Sequence, residues 1–124
     1  MRQNYVARHA HIRVLDQAVV LKPHGNIMGG DETDELEALI TMFDSENVPC
    51  LVVNLVDVGM INSLGLSRLI QAHIKFARRK ARVHLCQLDA KIQNIFVITR
   101  LSLVFPIYPD EKAALGACAG PVTE

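Results

Sequence analysis

No apolar run in this chain exceeds a few residues. Ile95-Phe96-Val97-Ile98 is typical, whereas a membrane-spanning helix needs about twenty such positions. There is no excess charge either, because thirteen Lys and Arg offset thirteen Asp and Glu. A neutral chain has no overall attraction for phosphate backbones or anionic lipid, so neither nucleic acid nor membrane is an expected partner. The opening Met1-Arg2-Gln3-Asn4-Tyr5 carries a charge without the apolar run of a secretory signal, which favours the cytoplasm. Cysteines are few. Cys50, Cys86 and Cys118 are odd in number, widely spaced and without metal-ligand spacing, so they read as buried free thiols and no metal is expected. His24, His73 and His84 are scattered, and no nucleophile, base and orienting group fall in a catalytic spacing. His73 reads as the polar edge of a helix, and His9 with His11 as one face of a strand. Neither catalysis nor a cofactor is expected. Internal repeats and low-complexity tracts are also missing.

What is present fits one soluble domain. A chain of 124 residues can bury a single core, and half of it is apolar with about a fifth charged. From Tyr5 to Leu15 the mixed pattern reads as an edge strand. Asp16-Gln17 then turns the chain into a second strand, Ala18 to Lys22, closed by Pro23 and Gly25. Behind Gly29-Gly30, Leu36, Leu39, Ile40 and Phe43 recur at helical spacing, with Asp31, Glu32, Asp34, Glu35 and Glu37 toward the positive end of the helix dipole. The spacing of these acids matches no calcium loop, and the same acids would repel a phosphate from the glycine pair.

Cys50 to Leu55 is a near-continuous apolar run of the kind shown by parallel strands covered on both faces. A polar turn follows. Leu66, Leu69, Ile70, Ile74 and Ala77 then form one helical stripe, and Arg78-Arg79-Lys80 with Arg82 complement the negative end of that helix without interleaved aromatics. Val83 to Leu88 is a further strand. Asp89 caps a third helix whose Ile92, Ile95, Phe96 and Thr99 share a face, and Val104 to Tyr108 is a last strand that Pro106 pushes to an edge. Pro109-Asp110 opens a final helix that Gly116, Gly120 and Pro121 dissolve into a tail. The expected architecture is α/β: a mixed, largely parallel sheet of four to five strands with about four helices, in one domain over residues 1–124 with a tail at 116–124.

In open sheets of this kind functional sites favour the loops beyond the carboxyl ends of the strands. Ser63 lies on such a loop. Its hydroxyl is a candidate N-cap for the helix that follows, and Gly65, lacking a side chain, is expected to leave the first turn open to a partner or a phosphate. Ser67 lies one turn further, where the backbone is already helical and less accessible.

These residues carry a resemblance. Asn54-Leu55-Val56-Asp57-Val58-Gly59-Met60-Ile61-Asn62-Ser63-Leu64-Gly65-Leu66 resembles the central motif of STAS domains, the anti-sigma factor antagonist family, in which a strand ending in Asp-Leu leads to Ile-Asp-Ser-Ser/Ala-Gly-Leu. Gly25-Asn26-Ile27 is similar to the family's Gly-x-Leu, and Ile98-Thr99-Arg100-Leu101 with Val104-Phe105-Pro106-Ile107-Tyr108 is similar to its closing segment. The likeness spans residues 19–115. It implies a switch protein and not an enzyme: a regulator that binds an anti-sigma factor, itself a serine kinase of ATPase fold, and is released when that kinase phosphorylates Ser63. A phosphatase would reset it. Asn26, Asn62, Ser63, Leu64, Gly65 and Leu66 are the positions the resemblance implies for partner contact. Asn54 and Asn62 are amides where the family has acids, and Leu64 replaces a small residue, so the alternative is an unphosphorylated STAS interaction or scaffold subunit of a signalling or transport assembly.

Overall fold

In the computed structural model, which describes residues 3–118, the run Cys50-Leu51-Val52-Val53-Asn54 is a central strand with every residue buried. The elements are β1 (Gln3–Val6), β2 (Ala10–Val14), β3 (Val19–Pro23), α1 (Asp31–Ser45), β4 (Cys50–Asn54), α2 (Ser63–Ala77), β5 (Arg82–Cys86), α3 (Ala90–Ile98), β6 (Ile107–Tyr108) and α4 (Glu111–Cys118). A short 3-10 turn covers Leu101–Leu103. The strands lie in the sheet in chain order, with β1–β2 and β2–β3 antiparallel and β3–β4, β4–β5 and β5–β6 parallel.

The α/β class, the opening hairpin and the parallel inner sheet agree with the sequence reading, but the described residues form six strands where four to five were expected. The stretch expected as one edge strand divides at Ala7-Arg8-His9, where Ala7 N–H donates to Ala10 C=O at 2.8 Å. No glycine or proline marks that turn, so β1 takes the edge and β2 moves inside. The last strand is shorter than expected, because Arg100 adopts φ 63° and the chain winds into the 3-10 turn before Phe105 enters the core. Gly116 does not end the final helix, which runs on to Cys118; residues 119–124 of the expected tail lie outside the described residues.

Side-chain alternation along the strands divides the core in two. Val19, Leu21, Leu51, Val53, Val83 and Leu85 face α1, α2 and α3, meeting Leu36, Ile40, Phe43, Leu69, Phe76, Ile92 and Phe96. Val20, Cys50, Val52 and Cys86 point the other way, against Ala114 of α4. The buried face of α2 is Gly65, Leu69, Ala72 and Phe76, rotated from the expected stripe, so that Ile74 is 38% exposed and Ala77 is at the surface. Phe76, the bulkiest apolar side chain on the helix, fixes that rotation. α2 is also tied to α1 by Arg68–Glu37 at 3.3 Å and Arg79–Asp44 at 2.7 Å, which takes Arg79 out of the basic run. No helix among the described residues is long and apolar enough to cross a membrane.

Candidate functional site

Two loops meet beyond the carboxyl ends of β3 and β4. Ile27 and Ile61 form a parallel bridge, Gly25 N–H donates to Asp57 C=O at 3.0 Å, Ile27 N–H to Met60 C=O at 2.9 Å and Asn62 N–H to Ile27 C=O at 3.1 Å. Ile27, Leu55, Val58 and Ile61 are buried and anchor the pair. Because the linked segments are extended, residues next to these anchors turn outward: Asn26, Met28 and Met60 are exposed.

The first turn of α2 is assembled on this platform. Asn62 is its N-cap, with Oδ1 accepting from Gly65 N–H at 3.1 Å while Nδ2 donates to Met28 C=O at 2.8 Å. This corrects the expectation that Ser63 caps the helix: Ser63 is the first helical residue, exposed, and takes no part in the cap. Gly65 is buried, and its role also differs from expectation. A Cβ there would come within 2.7 Å of the Ile27 carbonyl oxygen and 2.9 Å of Ile61 Cγ2, so the absent side chain admits the neighbouring loop and leaves no open space for a ligand. Leu64 is half exposed and lies over Gly29, where a Cβ would be 2.6 Å from Leu64 Cδ1. Leu66 packs partly against the core. Ser67 is less free than Ser63, since its hydroxyl donates to Leu64 C=O at 2.7 Å. Of the six positions implied for partner contact, Asn26, Ser63 and Leu64 are exposed, Asn62 and Leu66 are half-buried, and Gly65 is buried.

Charge around the platform is arranged internally. Gly29 has φ +91°, and the backbone it shapes points N–H groups at one spot. The carboxylate of Glu32 occupies that spot, accepting from Met28 N–H, Gly30 N–H and the Thr33 hydroxyl, each at 2.9 Å. Those bonds, the Met28 amide first, pull its pKa down to about 2. The turn at Met28 to Gly30 thus cradles an anion that the chain itself supplies, while Gly29 N–H donates to the Thr33 hydroxyl at 2.8 Å.

Asn54 is buried and its amide is satisfied. Its Nδ2 donates to Gln87 Oε1 at 2.8 Å and Glu111 Oε2 at 2.5 Å, and its Oδ1 accepts from Val56 N–H at 3.0 Å. An aspartate here would set a second carboxylate against Glu111, which gives a physical reason for the amide in this chain. Burial pushes the Glu111 carboxyl up, but hydrogen bonds from Asn54 and Arg13 and the charges of Arg13 and Lys22 outweigh it and hold the group below its ordinary value.

Two clusters escaped the sequence reading because their members come from separate elements. His11 and His24 approach at 2.5 Å between Nδ1 and Nε2, and His24 Nδ1 lies 3.1 Å from Asp57 Oδ2. The carboxylate only accepts, so Nδ1 of His24 carries a proton and donates to Asp57, while its Nε2 faces His11. The second cluster corrects the thiol expectation: Cys50 of β4 and Cys118 of α4 are joined in a disulfide beside His84 of β5, and Cys86 alone of the three cysteines is a free, buried thiol. Sixty-eight residues separate the bonded pair, so only the docking of α4 on the sheet brings them together.

The family model for the STAS domain matches residues 9–114. None of the curated protein sequences compared with the chain matches it. Among solved structures, an anti-sigma factor antagonist from Mycobacterium paratuberculosis shares 22% identity with a TM-score of 0.78, over 97% of this chain and 96% of that one. The anti-sigma factor antagonist SpoIIAA of Bacillus, in its unphosphorylated form, shares 14% with a TM-score of 0.71, over 98% and 100%. A sulfate transporter family protein from Wolinella succinogenes shares 13% with a TM-score of 0.75, over 85% and 87%. At these identities the structures attest the fold, and the match over residues 9–114 carries the assignment: the chain belongs to the STAS domain family.

Proposed function

We propose that this protein is an anti-sigma factor antagonist-like regulator, cytoplasmic and without catalytic activity of its own. It binds an anti-sigma factor that is also a serine kinase of ATPase fold, and phosphorylation of Ser63 releases it. A phosphatase restores the unmodified form. The observation that carries this reading is the state of Ser63: exposed, uncommitted to the helix cap, and standing at the start of α2, where Met28 and Met60 of the adjoining loops and Leu64 of the helix itself present apolar side chains to solvent. Exposed apolar groups around a modifiable hydroxyl suit a contact that must form and then be broken. A phosphoryl group would bring about −1.5 to −2 charges to the start of α2, where the helix dipole tolerates them and a docked apolar surface does not.

Incubation with a serine kinase of ATPase fold and ATP, followed by intact mass, tests the modification. One phosphoryl group on the wild type and none on Ser63→Ala is expected. An unmodified wild type, or equal gain in the variant, contradicts it.

The likeness to a sulfate transporter family protein favours a second reading, a constitutive subunit of a transport or signalling assembly. In that case Ser63→Asp leaves the complex intact. Loss of the complex in this variant counts against the second reading.

A further inference from the structure

The disulfide sits where three elements converge. Cys50 is buried on β4, His84 is buried on β5, and Cys118 is half-buried at the last described turn of α4. His84 Nδ1 lies 3.1 Å from Ala114 C=O, 3.7 Å from Cys118 Sγ and 3.9 Å from Cys50 Sγ. A carbonyl only accepts, so Nδ1 carries the proton and aims it at a point shared by a carbonyl and two sulfurs. Burial, in the first place, keeps the imidazole below its ordinary pKa and therefore neutral. On the outer side, Cys118 helps to line a cleft of about 490 Å³ together with Leu15, Asp16, Gln17, Ala18, Pro49 and Leu115. One half of the bridge is thus reachable from solvent, the other is sealed, and a fixed N–H stands beside both.

The geometry points to a thiol–disulfide exchange site, opened through Cys118 by a dithiol reductant, with His84 stabilising the thiolate that leaves. The thiolate of the reductant enters the cleft and attacks Cys118 Sγ. The electron pair of the S–S bond passes to Cys50 Sγ, which departs as a thiolate and takes the hydrogen bond that His84 Nδ1–H had given to Ala114. The second thiol of the reductant, deprotonated in turn, displaces Cys118 from the mixed disulfide and closes the reductant's own ring. Two electrons pass from the dithiol to the bridge, and the two protons lost by its thiols appear on Cys50 and Cys118. Cys86 takes no part, because burial, with Glu111 and Asp110 nearby, pushes its thiol up to about 12.

What the exchange controls is α4. The helix covers Val20, Cys50, Val52 and Cys86, and besides the bridge it is held at its first turn by Glu111 to Asn54 and Arg13, and near its end by Arg82 Nη1–H to Ala117 C=O at 2.7 Å. Reduction removes the covalent link between its last turn and the sheet.

The test uses the full chain purified without reductant, dithiothreitol as the dithiol, and N-ethylmaleimide counted by intact mass after quenching in denaturant. One adduct before reduction and three after exposure to dithiothreitol under native conditions is the expected result. His84→Phe, which keeps an apolar ring but loses the donor, should slow opening by roughly ten- to a hundredfold. His84→Asn, which retains an N–H near the Nδ1 position, should recover most of the rate. A merely structural role for His84 predicts the opposite direction, since a loosened helix would open faster. Three adducts before reduction, a bridge that resists dithiothreitol until the chain is unfolded, or a His84→Phe rate equal to or above the wild type would overturn the proposal.

Discussion

Asn62 Oδ1 accepts the Gly65 amide proton at 3.1 Å, and through this one bond the helix is capped by the residue before Ser63. Capping and presentation are thereby divided between neighbours. Asn62 also donates to Met28 C=O, so the same side chain that starts the helix ties it to the adjoining loop.

Asn62→Ala should lower stability by about 1 kcal/mol, the usual cost of a lost cap, with some further loss from the Met28 bond. Asn62→Asp keeps the acceptor and adds a charge that the helix dipole favours, so its loss should be smaller. Urea denaturation of the three proteins checks the order; Asp falling below Ala would contradict it.

Gly65→Ala places a methyl group 2.7 Å from a backbone oxygen, which cannot swing aside as a flexible side chain would. The expected cost is about 1–3 kcal/mol, the range for overpacking. Denaturation midpoints measure it, and an unchanged midpoint would mean that the loops are not locked together as described.

The nest around Glu32 predicts a pH dependence with a definite sign. Its folded pKa is lowered to about 2 from the ordinary 4.5, so the stability it contributes is fully present above the unfolded value and is lost as pH falls from about 4.5 toward 2. Glu32→Gln should flatten that part of the stability curve while leaving the curve above pH 6 parallel to the wild type. A carboxyl carbon shift for Glu32 that titrates near 4.5 in the native protein would refute the nest.

Cys86 should be inert in the folded protein, since its thiol is buried and pushed up to about 12, first by burial and then by Glu111 and Asp110. N-ethylmaleimide at neutral pH should modify it only after denaturant is added. Rapid labelling of the native chain would show that α4 does not cover this face.

Much of this arrangement was legible in the sequence, for identifiable reasons. The β4 strand was readable because a strand buried on both faces must be apolar at nearly every position. The cap at Asp89 was readable because a side chain bonding to its own helix is a local event, and Asp89 Oδ1 accepts from Ile92 N–H at 2.9 Å. The serine loop was readable from a local motif. The rotation of α2 was not, since it depends on which of several apolar residues wins a place in the shared core. Nor was the role of Gly65, whose missing Cβ matters only because Ile27, thirty-eight positions earlier, lies against it. The His11–His24–Asp57 contact and the Cys50–Cys118 bridge belong to the same class: each joins residues whose meeting is a property of the sheet and not of their spacing.

The measurement that bears most directly on the proposed switch is the dissociation constant between this protein and a kinase-type anti-sigma factor, for the unmodified chain and for the same chain phosphorylated at Ser63. At least about a tenfold weakening on phosphorylation is predicted, since the added charge must either be desolvated in the contact or face a surface that fitted a neutral hydroxyl. Equal affinity of the two forms would contradict the account.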